Sequence, residues 1–388
     1  VVDSEHSRGH SADAADILVG TVVAGRYFVE RRLAAGGMGV VYEATQRPLG
    51  RRIALKVIRG DAVDDEVARL RFEREAKTAS SLQDPHVVVI YDFGVLDTAR
   101  GLYIAMEFVD GETLRAHLAN EGRLSWRRSL VVVEQVARAL AAAHSKGLVH
   151  RDLKPENIML VPQSGDGVGG FSCKVLDFGL AKGVENDLLR QSGGAPLTRS
   201  GGFVGTPGYI SPEHIDGASE DPRQDVYALG VVWWELLTGR HPFPAETPMK
   251  TLLRQMHEEP PAAVDVVRVN ADVPEAGAAL VRELMAKNPR ERPRDGSAVL
   301  ARLNALLRGS VDVDSNAPTQ QGMRPLSSPQ PPPLTDVALI QKSGEHTDVD
   351  SAPGALTLDG RGPRLVAVAA PSPSSASSAS SASTSTPP

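Results

Sequence analysis

The chain has 388 residues, 41% of them hydrophobic, so it can bury a substantial core and its length predicts two or three compact units. Its formal net charge is -6, and no basic run offers the phosphate-neutralising surface that nucleic acid or an anionic bilayer requires. The single cysteine, Cys173, leaves no intramolecular disulfide to form, which predicts a reducing compartment, the cytoplasm by default.

Residues 1–20 are polar and unpatterned, a flexible segment in which His6 and His10 lack the further ligands of a metal site. From Tyr27 the pattern is strand-like: YFVERRL, GVVYEATQ and RIALKVI, separated by the turn-formers Gly36, Gly37, Pro48 and Gly50. The turn Gly36-Gly37-Met38-Gly39 suits backbone N–H groups closing over phosphates, and suits an ordinary hairpin as well. In the third strand Ala54 and Lys56 share a face because side chains alternate. Lys56 is flanked by apolar residues, so its ammonium calls for anions.

Asp64 and Asp65 can cap a helix running to about Leu82, with Phe72, Ala76 and Ala79 inward and Glu75 on the same stripe. A core-facing carboxylate needs a partner. Two more strands, VVVIYDFGV and LYIAMEFV, end at Gly111, and the periodicity then becomes helical. Ser125 caps a run in which Leu130, Val133, Ala137, Leu140 and His144 share a face, ending at Gly147.

That helix delivers the chain to HRDLKPEN, His150 to Asn157. There Asp152 can accept a proton, Lys154 can neutralise a phosphate oxygen, and Asn157 can offer its carbonyl oxygen to Mg²⁺. DFG, Asp177 to Gly179, adds a second carboxylate suited to a metal. Cys173 reads as a small buried apolar residue, and VPQSGDGVGGFS, residues 161–172, as a glycine-rich hairpin insertion. DVYALGVVWWELLTG from Asp225 is apolar all round, the mark of a helix through the middle of a lobe. Leu280 and Leu284, then Val299, Leu303, Leu306 and Leu307, mark further amphipathic helices closing the domain near Gly309. No apolar run is long enough to span a bilayer; the longest, Leu229 to Leu237, carries Glu235.

With GGMGVVYEA and GTPGYISPEH added, the chain resembles the Hanks-type, eukaryotic-like serine/threonine protein kinases of bacteria, over roughly Arg26 to Leu307. The resemblance implies a bilobal α+β fold: a small antiparallel-sheet N-lobe with one helix over 21–109, a mainly helical C-lobe over 110–308, and a disordered Pro/Ser/Ala-rich tail over 309–388. It implies ATP and Mg²⁺, with serine or threonine hydroxyls of proteins as acceptors. Asp152 would be the base, Lys154 would screen the γ-phosphate, and Asn157 and Asp177 would hold Mg²⁺. Lys56 would hold the α- and β-phosphates and pair with Glu75.

Leu33, Ala34, Ala35, Gly36, Gly37, Met38 and Gly39 would cover the nucleotide, Val41, Ala54 and Met106 would line the adenine slot, and the hinge would run from Met106 through Glu107 to Val109. Ala34 replaces the first of the family's three glycines, at a cost of roughly 1 kcal/mol if φ there is positive, which predicts weaker ATP affinity. His150 would pack beneath DFG, Asp225 would fasten the catalytic-loop backbone, Thr206 would brace Asp152 and Lys154, and Glu213 with Arg292 would form a buried ion pair. Arg151 is a fork for a phosphate placed by trans-autophosphorylation on Thr198 or Ser200. The rival expectation is a catalytically silent kinase fold acting as scaffold or nucleotide sensor. The expected location is the cytoplasm, either for the chain alone or as the cytoplasmic part of a longer membrane-anchored protein.

Overall fold

The alternating segments form one antiparallel sheet. The computed structural model describes residues 18–36, 39–59, 66–96, 101–163, 170–179 and 207–314. Gly37, Met38, Asp64, Asp65, Thr198, Ser200, Thr206 and the tail from 315 lie outside the described residues, as do residues 1–17.

The sheet comprises β1 (Val22–Val23), β2 (Tyr27–Gly36), β3 (Gly39–Gln46), β4 (Arg51–Arg59), β5 (Ile90–Leu96) and β6 (Gly101–Glu107), in the order β1-β2-β3-β4-β6-β5. Its two faces do different work. Tyr27, Val29, Tyr42, Ala44, Ile53, Leu55, Tyr103 and Ala105 form a core on one side. On the other, helix α1 (Glu66–Ser80) buries Ala68, Phe72, Ala76 and Ala79, and Phe72 meets Phe93 edge-on at 6.2 Å. Gly39 has φ 153°, and a Cβ there would overlap the Val57 carbonyl, so only glycine lets β3 approach β4 at this point. Ala34 is different: it is paired with Val41 in β2 and is not among the described residues with positive φ. The strain expected there is absent, and with it the reason for weaker ATP affinity.

The second half is helical, with a small sheet of β7 (Glu112–Thr113), β8 (Ile158–Pro162) and β9 (Phe171–Val175). Its helices are α2 (Leu114–Glu121), α3 (Trp126–Ser145), α4 (Pro212–Ile215), α5 (Arg223–Thr238), α6 (Pro248–His257), α7 (Ala263–Val269), α8 (Glu275–Leu284) and α9 (Gly296–Asp314). Thr113 and Ser125 cap α2 and α3 by accepting the N–H groups of Ala116 and Arg128. Helix α5 begins at Arg223, two residues before the expected start, and every residue after Arg223 is buried. Trp233 stacks on Trp126 at 5.5 Å and its indole N–H reaches Ser129 Oγ at 3.2 Å. Helix α9 runs to Asp314, past the boundary expected at residue 309, and Leu307, expected inward, is 43% exposed.

Strands β8 and β9 make the expected hairpin, and Cys173 is fully buried within it. Burial pushes its thiol up to about 12. At pH 8 only about one thiol in 10⁴ is then ionised. Iodoacetamide is expected to leave Cys173 unmodified in the native protein and to label it after unfolding in urea; equal labelling rates would contradict this burial.

Candidate active site

Five segments converge on the groove between the sheet and the helical half: the facing ends of β2 and β3, strand β4, the hinge after β6, and the two loops flanking β8 and β9. The groove has a volume of about 880 Å³. Leu33, Ala34, Ala35, Gly36, Gly39, Val41, Ala54, Lys56 and Met106 of the sheet line it, with Glu107 and Val109 of the hinge and Asp152, Lys154, Asn157 and Asp177 of the helical half. All of these were expected from the sequence. Phe108 lies within the expected hinge; Gly111, Thr113, Met159 and Leu176 were not expected, since apolar or small residues there look like ordinary core or turn, and neither was Glu156, which reads as a solvated charge of the loop.

Lys56 lies in register with Val41 and Ile104, so alternation aims it into the groove. Its Nζ is 2.9 Å from Asp177 Oδ2, joining the two halves of the molecule. Asp177 has φ 50°, a left-handed conformation held from behind by the next residue, Phe178, whose ring packs at 4.8 Å on the buried His150. Burial drives the His150 pKa down, so its ring is neutral. Its Nδ1 accepts the Asp152 N–H at 3.2 Å, and its Nε2–H donates to the Leu176 carbonyl at 2.8 Å. One neutral imidazole thus ties the catalytic loop to the segment bearing Asp177.

On the loop, Asp152 Oδ2 receives Lys154 Nζ at 2.9 Å and Asn157 Nδ2 at 3.2 Å, and Asn157 Nδ2 also donates to the Asp152 carbonyl at 2.8 Å. Spending its amide N–H groups this way leaves Asn157 Oδ1 as an oxygen donor. Asp177 and Asn157 are hard oxygen ligands of the kind Mg²⁺ prefers, so the residues fit that cation. Among the described residues no group of three or more His, Cys, Asp or Glu side chains could hold a metal alone. A cation held by Asp177 and Asn157 would have room for ligands from outside the protein.

One expected pair is not made. Glu75 faces the catalytic loop rather than Lys56: Arg151 donates to its Oε1 from Nη2 at 2.9 Å and to its Oε2 from Nη1 at 3.1 Å. The same Nη2 reaches Glu220 Oε2 at 2.5 Å. The physical reason is competition: Lys56 is already neutralised by Asp177, while a planar guanidinium grips a carboxylate with two bonds where an ammonium makes one. Glu220 carries no motif that would have marked it in the sequence.

The remaining framework is as expected. Arg292, whose side chain is wholly buried, forms a fork to both oxygens of Glu213 at 2.7 and 2.8 Å. Asp225 accepts the backbone N–H groups of His150 and Arg151 at 2.7 and 2.9 Å. Arg115 of α2 anchors Glu156 beside Asn157, donating to Glu156 Oε1 at 2.9 Å, to Glu235 Oε1 at 2.6 Å and to the Tyr209 hydroxyl.

Comparison with known proteins identifies the family. The protein kinase domain family matches residues 27–301. Serine/threonine-protein kinase pkn3 of Myxococcus xanthus is 39% identical over 300 residues, covering 77% of this chain and 53% of that protein. Serine/threonine-protein kinase PrkC of Bacillus subtilis is 37% identical over 276 residues, 71% of this chain and 40% of that one. The crystal structure of the Mycobacterium tuberculosis PknI kinase domain superposes with a TM-score of 0.54 at 27% identity, covering 74% of this chain and 97% of that domain. The chain thus spans about half the length of these two curated relatives. The domain match over residues 27–301 and the identity to these relatives lead to one conclusion: the chain belongs to the protein kinase family, on its bacterial serine/threonine branch.

Proposed function

We propose that this chain transfers the γ-phosphoryl group of ATP to serine or threonine hydroxyls of proteins. The observation that carries the reading is the 2.9 Å meeting of Lys56, from the sheet, and Asp177, from the loop after β9, in a groove also lined by Asp152, Lys154 and Asn157. Asp152 orients the acceptor hydroxyl and takes its proton, and Lys154, already beside that carboxylate, screens charge on the transferred group. Lys56 holds the α- and β-phosphates. Asn157 and Asp177 hold Mg²⁺, which when bound neutralises charge on the triphosphate. The hinge from Met106 to Val109 offers its backbone to adenine, with Val41 and Ala54 on the ring face.

Two ion pairs must exchange partners for this chemistry. While Lys56 is on Asp177 and Glu75 is on Arg151, Asp177 Oδ2 is committed to the ammonium and Glu75 is held away from Lys56. A phosphate group on Thr198 or Ser200 carries about two negative charges and competes with Glu75 and Glu220 for Arg151. Release of Glu75 then leaves it available to Lys56. Trans-autophosphorylation between two copies is the proposed source of that phosphate, and proteins bearing accessible serine or threonine are the proposed substrates.

No helix among the described residues is long and apolar enough to cross a membrane. The use of ATP and the buried, unpaired Cys173 support work in the cytoplasm, on this chain alone or as the cytoplasmic part of a longer anchored protein. The test is phosphosite mapping after incubation with MgATP. Phosphate on Thr198 or Ser200, lost in Asp152→Asn, is expected; no incorporation into the chain or into any protein acceptor would favour the silent scaffold.

A further inference from the structure

Two buried polar atoms beside the catalytic loop have no protein partner. Ser211 is 2% exposed and the side chain of Arg151 is 5% exposed, yet neither Ser211 Oγ nor Arg151 Nε makes a hydrogen bond. Interiors rarely leave polar groups that way, because losing water without gaining a partner is costly. The other nitrogens of the guanidinium are engaged, Nη1 on Glu75 and Nη2 on both Glu75 and Glu220. Ser211 directly precedes α4, where a serine hydroxyl ordinarily accepts an amide N–H of the helix, but it makes no such bond. Both residues line one cavity of about 20 Å³. It lies between the loop from Arg151 to Leu153, the segment from Tyr209 to Ser211, and α5 at Asp225 and Ala228.

We propose that this cavity binds one water molecule, which accepts from Arg151 Nε–H and bonds to the Ser211 hydroxyl, and that Ser211 positions Arg151 through it. Size and charge select the ligand. A water needs about 10–15 Å³ of such space, so one fits and a phosphate does not. A cation would meet the guanidinium, and an anion would meet the carboxylates of Asp152 and Asp225, which line the same cavity. Water is neutral, and it can accept from the guanidinium and still serve a hydroxyl. Arg151 has φ 64°, a backbone conformation that residues with side chains rarely adopt, and it directly precedes Asp152. The proposed exchange of ion pairs takes Glu75 and Glu220 off its Nη groups. The bond from Nε is not part of that exchange. It leaves Arg151 tethered to the segment before α4 while its Nη partners change, so the residue next to the base keeps its place.

The water site stands apart from the kinase reading, while the positioning role rests on it, and the experiment separates the two. A high-resolution crystal structure of the whole chain, with a second crystal soaked in bromide, judges the site. One oxygen-sized peak is expected about 2.7–3.2 Å from both Arg151 Nε and Ser211 Oγ, with no anomalous signal from bromide. An empty cavity, a bromide signal there, or a Ser211 hydroxyl bonded to a protein group overturns the water. Kinetics judge the role. Ser211→Thr keeps the hydroxyl, Ser211→Val has the same shape without it, and Ser211→Ala removes it without adding bulk. The Val and Ala variants are expected to lose about 10-fold in kcat with the KM for ATP within about three-fold, and Thr to stay within about three-fold in both. Equal kcat for Thr and Val overturns the role. If neither branched variant folds, Ser211→Ala decides: an unchanged kcat overturns it. An inactive wild-type protein would defeat the kinase reading, and the crystal structure would still judge the water.

Discussion

Asp152→Asn is expected to lower kcat by about 10²- to 10⁴-fold while leaving the KM for ATP within a few-fold of its original value. The substitution keeps the shape of the side chain and removes its charge and basicity. Asp152 Oδ2 is the point where Lys154 Nζ, 2.9 Å away, and Asn157 Nδ2, 3.2 Å away, converge. An amide can still accept one of these bonds, so the loop retains its course. What it cannot do is take a proton from the acceptor hydroxyl. The proposed nucleotide anchors, Lys56 and the hinge, lie on other elements, and this is why affinity for ATP should survive. Steady-state kinetics on a peptide acceptor read both parameters; a variant with unimpaired kcat would remove Asp152 from the role of base.

Glu213→Ala is expected to destabilise the domain by about 3–5 kcal/mol. The Arg292 side chain is fully buried, and Glu213 neutralises it with two parallel bonds at 2.7 and 2.8 Å. Its other bonds go to the carbonyls of Ala286, Arg223 and Lys287, which satisfy N–H groups without cancelling the charge. Truncating Glu213 therefore leaves an uncompensated guanidinium in the interior. The cost is a large part of the roughly 5–15 kcal/mol that holds such a domain folded. Because exposed ion pairs contribute at most about 1 kcal/mol, a loss of that size in urea unfolding would mean that water reaches Arg292. Arg292→Met, with volume kept and charge removed, should combine with Glu213→Met to cost less than either change alone.

The sequence revealed the fold wherever one period dominated. Alternation placed β2 to β4 and the side of β4 on which Lys56 sits, and helix α5, apolar on every face, could only lie inside. Strand β1, two residues long, carries too few side chains to show a period. The last turns of α9 were missed because GSVDVD offers no apolar stripe, so its composition reads with the tail. At the site, residue types and spacing identified which charges needed partners. They did not determine the pairing, because which cation a core-facing carboxylate on α1 meets depends on where that helix stands relative to β4 and the catalytic loop, and here it meets Arg151. Glu220 was invisible for a related reason: a half-exposed carboxylate in a turn looks like any solvated charge until a guanidinium is seen beside it.

The proposed phosphoryl transfer requires Lys56, Asp152, Asn157 and Asp177 to act on one nucleotide. A crystal structure with Mg²⁺ and a non-hydrolysable ATP analogue tests this directly. It should place the triphosphate in the groove, with Lys56 transferred from Asp177 to a phosphate oxygen and the cation on Asp177 and Asn157. An analogue bound elsewhere, or a Lys56–Asp177 contact that persists at 2.9 Å with the groove filled, would contradict it.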